Sequence, residues 1–262
     1  MRWRRLLLPV YLVLALIYMF IPVVVVVLFS FNDNQGRFNV IWQGFTLKHW
    51  LDPFADRRIL EALGTSLVIA VLSAAFATVL GTLIALALAR YNFRGRSATS
   101  VLLFFPMATP EVVLGSSLLG LFVSLRVGTG FTTILLAHVL FILSYAVVTV
   151  RARIVGFDRH LEEAAMDLYA NEWQTFRRVT LPMIMPGVFA AFLLGFALSV
   201  DDFIVTNFTS GSIQTFPVFV WGAARRGIPP QVNVVGTALF LITVSAMLLF
   251  LRYQNRAARR GL

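Results

Sequence analysis

Residues 64–90 read GTSLVIAVLSAAFATVLGTLIALALAR. From Gly64 to Ala89 the run carries no charged residue, and it closes on Arg90. As a helix rising 1.5 Å per residue it would be about 39 Å long, enough to cross a bilayer with a hydrocarbon core of about 30 Å. Small residues recur at every fourth position: Ser73, Ala77, Gly81, Ala85 and Ala89. Such a seam lets helix backbones approach closely in lipid. The stretch therefore reads as a membrane-spanning helix with one tightly packed face.

Five further runs have the same character, at about 6–30, 98–125, 131–150, 183–208 and 232–251. The first follows Arg2, Arg4 and Arg5, as a signal peptide would. It is too long for that and ends in no small-x-small site, so it reads as an uncleaved span. The fifth carries a second seam, Gly187, Ala191, Gly195 and Ser199. With 59% hydrophobic and 13% charged residues, the 262-residue chain cannot build a soluble surface, which takes about 25% charged residues. The fold class expected is all-α: one polytopic membrane domain over 1–262 with six spans.

Six spans place both termini on one side. Arg2, Arg4, Arg5, Arg90, Arg94, Arg96, Arg151, Arg153, Arg159, Arg177, Arg178, Arg252, Arg256, Arg259 and Arg260 fall on that side. Arg37, Lys48, Arg57, Arg58, Arg126, Arg225 and Arg226 fall on the other. The bias makes both termini cytoplasmic. The net charge of +10 then reflects contact with lipid headgroups. No basic domain lies outside the spans, so nucleic acid is not the expected partner.

Several chemistries are excluded. Without cysteine there is no disulfide, thiolate nucleophile or Cys-ligated metal. Lys48 is the one lysine, and it is not in a Gly-Lys-Ser/Thr setting, so the chain carries no ATP-binding P-loop. No His-Glu-x-x-His or Gly-x-Ser-x-Gly occurs. His49, His138 and His160 are scattered. His138 sits inside the fourth span and reads as a packing or hydrogen-bonding residue rather than a metal ligand. Ser144 and Ser199 read as helix–helix hydrogen-bonding hydroxyls rather than nucleophiles.

Segment 151–182 breaks the apolar pattern and reads as a cytoplasmic loop. Leu161, Ala164, Ala165 and Leu168 share a face at helical spacing. Asn171 suits the cap of a second short helix from Glu172, with Trp173, Phe176 and Val179 as its apolar residues. The bland reading is an amphipathic interfacial loop.

The run Glu163-Ala164-Ala165, followed by Ala170, Phe176, Leu181 and Pro182, resembles the EAA loop of ABC importer permeases. In that family the loop forms coupling helices that dock onto an ATPase subunit. Tyr169 stands where the family usually has glycine. Either Tyr169 takes an unfavourable backbone, or the turn shifts to Ala170-Asn171. Residues 39–45, 90–95, 200–203 and 227–233 are similar to the second permease of spermidine/putrescine importers. The resemblance implies a non-catalytic permease working with a homologous second permease, two ATP-binding subunits and an extracytoplasmic solute-binding protein. ATP and Mg would sit on the ATPase partners, with no cofactor on this chain.

Two features inside the spans could touch a solute. Asp201-Asp202 lies about 18 residues into the fifth span, roughly 27 Å along a helix. Charges there are costly and usually face a cavity or a partner. The pair could attract a cationic solute, with one side chain facing the pathway, or it could cap a helix or pair with Arg225 or Arg226. Thr109-Pro110-Glu111 reads as a helix restart inside the third run: Thr109 as N-cap, Pro110 at the first helical position, Glu111 next. Broken spans often line transport sites. The alternative is that Glu111 only caps its own helix. The reading is a permease for a small cationic solute, most readily a polyamine. An importer for a phosphonate, sugar or ferric ion is the alternative, followed by a stand-alone carrier or an intramembrane enzyme.

Overall fold

The structure is a computed structural model and describes residues 2–36, 38–156, 158 and 160–259. Arg37, Arg159 and Arg260, used in the reading above, lie outside the described residues. Among the described residues the chain is helical with no strand; one isolated antiparallel bridge joins Asn32 and Phe45. Helices satisfy backbone hydrogen bonds within each segment, as a lipid solvent requires.

In chain order the helices are α1 (Arg2–Phe29), α2 (Lys48–Leu51), α3 (Arg57–Arg90), α4 (Arg96–Ala108), α5 (Glu111–Ser124) and α6 (Phe131–Val155). Then come α7 (His160–Asp167), α8 (Glu172–Thr175), a π-helical turn (Phe176–Thr180) and α9 (Leu181–Asp201). The last are α10 (Ile204–Thr209), α11 (Phe216–Arg226) and α12 (Pro230–Arg259). Four helical stretches are long and apolar enough to cross a membrane: Leu8–Phe29, Arg57–Arg90, Phe131–Val155 and Glu172–Asp201. A fifth is the pair α4 and α5 if counted as one, and Pro230–Ser245 is a shorter apolar stretch.

The structure departs from the sequence reading in four places. The fifth run does not continue to 208: α9 ends at Asp201, Asp202 is extended, and α10 restarts at Ile204. The loop expected before the sixth span contains α11. The second loop helix is no separate element, because α8 runs through the π turn into α9. The helix restart is one residue later than expected. Thr109 is the C-cap of α4 and its hydroxyl donates back to Phe105 O (2.7 Å), while Pro110 flanks α5 and Glu111 is its first residue. A residue before proline avoids the helical region. Thr109 is accordingly extended, and α4 and α5 meet at 108°.

The described residues sort into two compact units, one within 1–60 and 220–262, the other Glu61–Phe219. In the first, α1 packs on α12, and the lipid-like exposure of α1 follows from a helix that is apolar all round. Its loop is tied by side-chain amides. Asn32 Nδ2 donates to Asn39 Oδ1 (2.7 Å) and Ile41 O (2.8 Å), and Asn39 Nδ2 to Phe29 O (2.8 Å). Phe31 stacks on Phe45 and Trp50.

The second unit is built on α6, which packs against α9 and presents buried residues on most of its length. Both small-residue seams close onto it. A Cβ at Gly81 would lie 2.7 Å from Ala146 Cβ, at Gly187 2.7 Å from Arg153 Cβ, and at Gly195 2.5 Å from Ile142 Cγ2. Ser73, Ala77, Ala85, Ala191 and Ser199 are buried with them. The break after Asp201 turns α10 onto α5, where Gly115 admits the Phe208 ring (2.7 Å to a built Cβ).

Candidate functional site

Two helix breaks face one space. A cavity of about 700 Å³ is lined by the α4–α5 break (Pro106 to Glu111), the α9–α10 break (Asp201 to Val205), and Phe141 and Tyr145 of α6. Each break leaves unpaired carbonyls at one helix end and unpaired N–H groups at the other. Glu111 occupies the first turn of α5, where a carboxylate offsets the positive helix end. Asp202 does the same for α10, its Oδ2 accepting from Thr206 N (2.8 Å) and Thr206 Oγ1 (2.7 Å). Asp202 is nearly enclosed, its side chain 6% exposed, and the same oxygen lies 3.3 Å from His138 Nε2. Asp201 is exposed and lines the cavity. The structure thus separates two adjacent carboxylates: one turns inward to hold a helix end, and the other lines the cavity with Glu111.

Cation chemistry suits this space. Carbonyl ends of α4 and α9 carry partial negative charge, Asp201 adds a carboxylate, and the N-terminal ends of α5 and α10 are already offset by Glu111 and Asp202. Among the described residues no three His, Asp or Glu side chains come together as metal ligands.

The polar loop is clamped to the bundle by a residue the sequence reading passed over. Arg90 at the end of α3 grips Glu162 of α7 with both arms, Nη1 to Oε2 and Nη2 to Oε1, each 2.6 Å. Thr180, at the start of the fifth span, donates its hydroxyl to Glu162 Oε1 (2.5 Å). The pair is mostly enclosed, with side chains 17% and 14% exposed. The inward face of α7 is therefore Glu162 and Ala165, spaced i and i+3. The expected apolar face is otherwise outside: Leu161, Ala164 and Leu168 are exposed, as are Glu163 and Trp173. Phe176 and Leu181 are half-buried, and Pro182 is exposed. Glu162 was invisible in sequence because its partners lie 72 and 18 residues away. The start of α7 is held by Asp158, which accepts from His160 N (3.0 Å) and lies 2.7 Å from His160 Nδ1. That side-chain hydrogen bond holds the Asp158 carboxyl below its usual range and raises the His160 imidazole.

Residues 77–260 match a protein family described as binding-protein-dependent transport system inner membrane component. The chain belongs to that family. It is 40% identical to the spermidine/putrescine transport system permease protein PotC of Escherichia coli (strain K12), over 87% of this chain and 86% of the relative. It is 36% identical to the putrescine transport system permease protein PotI of the same organism, over 88% and 84%. A solved bacterial alginate ABC transporter, in complex with alginate pentasaccharide-bound periplasmic protein, shares the fold with a TM-score of 0.64. Identity there is 16%, over 98% of this chain and 95% of that one, which speaks for the fold alone.

In this inner-membrane transport component the loop turn solves the Tyr169 question. Tyr169 takes φ +64, in the left-handed region, at the position where the EAA loop usually has glycine. It completes a helix stop: Ala170 N donates to Ala165 O (3.1 Å) and Tyr169 N to Met166 O (2.9 Å), the paired bonds of a Schellman motif. Ala165 and Ala170 are the half-buried residues that flank it. Asn171 then caps α8 in a reciprocal box with Gln174, as its sequence position suggested (Gln174 N to Asn171 Oδ1 2.9 Å; Asn171 N to Gln174 Oε1 3.0 Å). The Tyr169 ring is 97% exposed, so it gains no packing in return. Tyr169→Gly is expected to leave the loop at least as stable, and Tyr169→Val to cost about 1–2 kcal/mol, since a β-branched residue resists this backbone. Hydrogen exchange at the 169 and 170 amides reads the difference; equal protection in both variants would remove the strain argument.

Proposed function

We propose that the chain is the permease subunit of an ATP-driven importer for a polyamine. It crosses the inner membrane of a bacterial cell six times as a single permease domain, with α4 and α5 forming one broken span and both termini cytoplasmic. The arginine bias and the six apolar runs support that topology. It is non-catalytic and binds no cofactor; ATP and Mg are held by two partner ATPase subunits. A homologous second permease and an extracytoplasmic solute-binding protein complete the machine. The periplasmic protein bound to the alginate transporter supports the last of these.

The observation that carries the substrate class is the cavity onto which Asp201 and Glu111 open, set beside the 40% identity to PotC. A linear amine with separated charges meets separated carboxylates there, between the aromatic side chains of Phe141, Tyr145 and Phe203. Asp202 belongs to the same pathway by holding its wall. The loop of Glu163, Ala164, Ala165, Tyr169, Ala170, Phe176, Leu181 and Pro182 receives the motion of the ATPase, and its exposed Leu168, Tyr169 and Trp173 support that role.

Proteoliposome uptake of labelled putrescine and spermidine tests the reading. Asp201→Asn is expected to raise KM about tenfold, the equivalent of about 1.4 kcal/mol for one partly screened charge contact. Unchanged uptake kinetics would remove Asp201 from the pathway.

A further inference from the structure

Behind the cavity wall lies a buried chain of hydroxyls with one imidazole. Ser73 Oγ is 3.2 Å from Ser199 Oγ, and Ser199 Oγ is 2.6 Å from His138 Nδ1. His138 Nε2 is 2.9 Å from Thr206 Oγ1, and Thr206 Oγ1 is 2.7 Å from Asp202 Oδ2. The imidazole is 1% exposed. Proton counting gives the chain a direction. A carboxylate only accepts, so the single Thr206 hydroxyl proton goes to Asp202. His138 Nε2 must then donate to Thr206 and Asp202, while Nδ1 accepts from Ser199 in the neutral imidazole and donates to it in the imidazolium. Ser199 in turn accepts from Ser73. His138 and Thr206 both donate toward Asp202, and the chain joins α3, α6, α9 and α10.

We propose that His138 is a positioning residue for the solute pathway: it holds Asp202 inward at the α9–α10 break and thereby aims Asp201 into the cavity. This rests on the cavity being part of the pathway. The physical reason is that two neighbouring carboxylates compete for one wet space. Asp202 stays in the interior only while donors satisfy it, because a buried carboxylate without partners is strongly disfavoured. With the His138 donor removed, Asp202 turns toward the cavity. The break straightens toward continuous helix, and residue 201 rotates away, since successive helical side chains point about 100° apart.

The chain has no cysteine, so a single introduced cysteine is the one thiol of this subunit, read on its own band after the subunits are separated. Asp201→Cys is labelled in the assembled, detergent-solubilised complex with a trimethylammonium methanethiosulfonate. The labelling rate is compared with His138 intact, with His138→Leu and with His138→Gln, which keeps a donor. Ser212→Cys, on the exposed turn after α10, reports whether each variant is folded. The expected result is at least a tenfold slower rate at 201 in His138→Leu, a rate within threefold of the parent in His138→Gln, and no change at 212. Thr206→Val, which deletes another link, is expected to slow residue 201 in the same way and serves if His138→Leu fails to assemble. Equal rates at 201 with and without His138 would overturn the positioning role while leaving the pathway reading intact. A cysteine at 201 that is unreactive even beside an intact His138 would overturn both.

Discussion

Replacing Arg90 with glutamine is expected to abolish most solute uptake while the protein still inserts into the membrane. The guanidinium meets Glu162 through two 2.6 Å contacts, and both side chains are mostly enclosed. Removing one partner of such a pair leaves the other charge under-compensated, at a cost of about 3 kcal/mol. Among the described residues the Thr180 hydroxyl then remains to face the Glu162 carboxylate. α7 loses its tie to the end of α3, and the loop no longer moves with the spans. Because the fork is geometric, lysine at 90 is expected to recover little. Arg90→Glu combined with Glu162→Arg restores the pair with its sign reversed and is expected to recover about half of the coupling, so that the double variant costs less than the sum of the two single ones. Uptake and ATP hydrolysis measured together in the reconstituted importer give the readout. Uptake at wild-type rates in the single variant would mean that packing, and not the ion pair, holds the loop.

Gly195→Leu is expected to have the largest effect on stability. A Cβ at that position already falls 2.5 Å from Ile142 Cγ2 and 3.6 Å from Ala74 Cα, so a leucine must drive α9 away from α6 and α3. Overpacking of this kind costs about 3 kcal/mol, a loss on the order of 10 °C in melting temperature for a chain of this size. Gly64→Ala and Gly120→Ala are the controls. Nothing lies within 4 Å of a Cβ at either. Each is expected to be neutral or to stabilise by about 0.5–1 kcal/mol through helix propensity. Thermal unfolding of the purified protein in mild detergent separates the two classes. A Gly195→Leu chain that melts like the parent would mean that the seam is not a packing surface.

Local signals in the sequence were read correctly where one element decides the outcome. The apolar run 64–89 becomes part of α3, and its every-fourth small residues become the face packed on α6. Asn171 caps α8 because its side chain needs only the backbone three residues on. Pro110 breaks the third run because a proline acts on its own neighbours. The Asp201-Asp202 pair stood out because two charges in an apolar stretch demand a reason. Leu161, Ala164, Ala165 and Leu168 share a face of α7 by spacing, yet of these only Ala165 is half-buried, beside Glu162. Periodicity reports that a stripe exists, but not which stripe meets the bundle when an arginine 72 residues earlier can hold a glutamate on another side. The end of α9 was placed too late for a related reason: apolar residues continue past Asp202, and the cap that stops the helix depends on Thr206 and His138.

By itself the sequence determined that the chain is helical, apolar in repeated spans and basic on one flank, because these follow from composition and from backbone satisfaction in lipid. Which polar groups meet was decided only by the tertiary structure. That applies to Glu162 with Arg90 and Thr180, and to His138 with Ser199, Thr206 and Asp202, as it does to the cavity that Glu111 and Asp201 both line. The physical reason lies in the solvent. In water a buried face announces itself by being apolar against a polar surface. In lipid the outside is as apolar as the inside, so hydropathy shows where the helices run and says nothing of which sides of them touch.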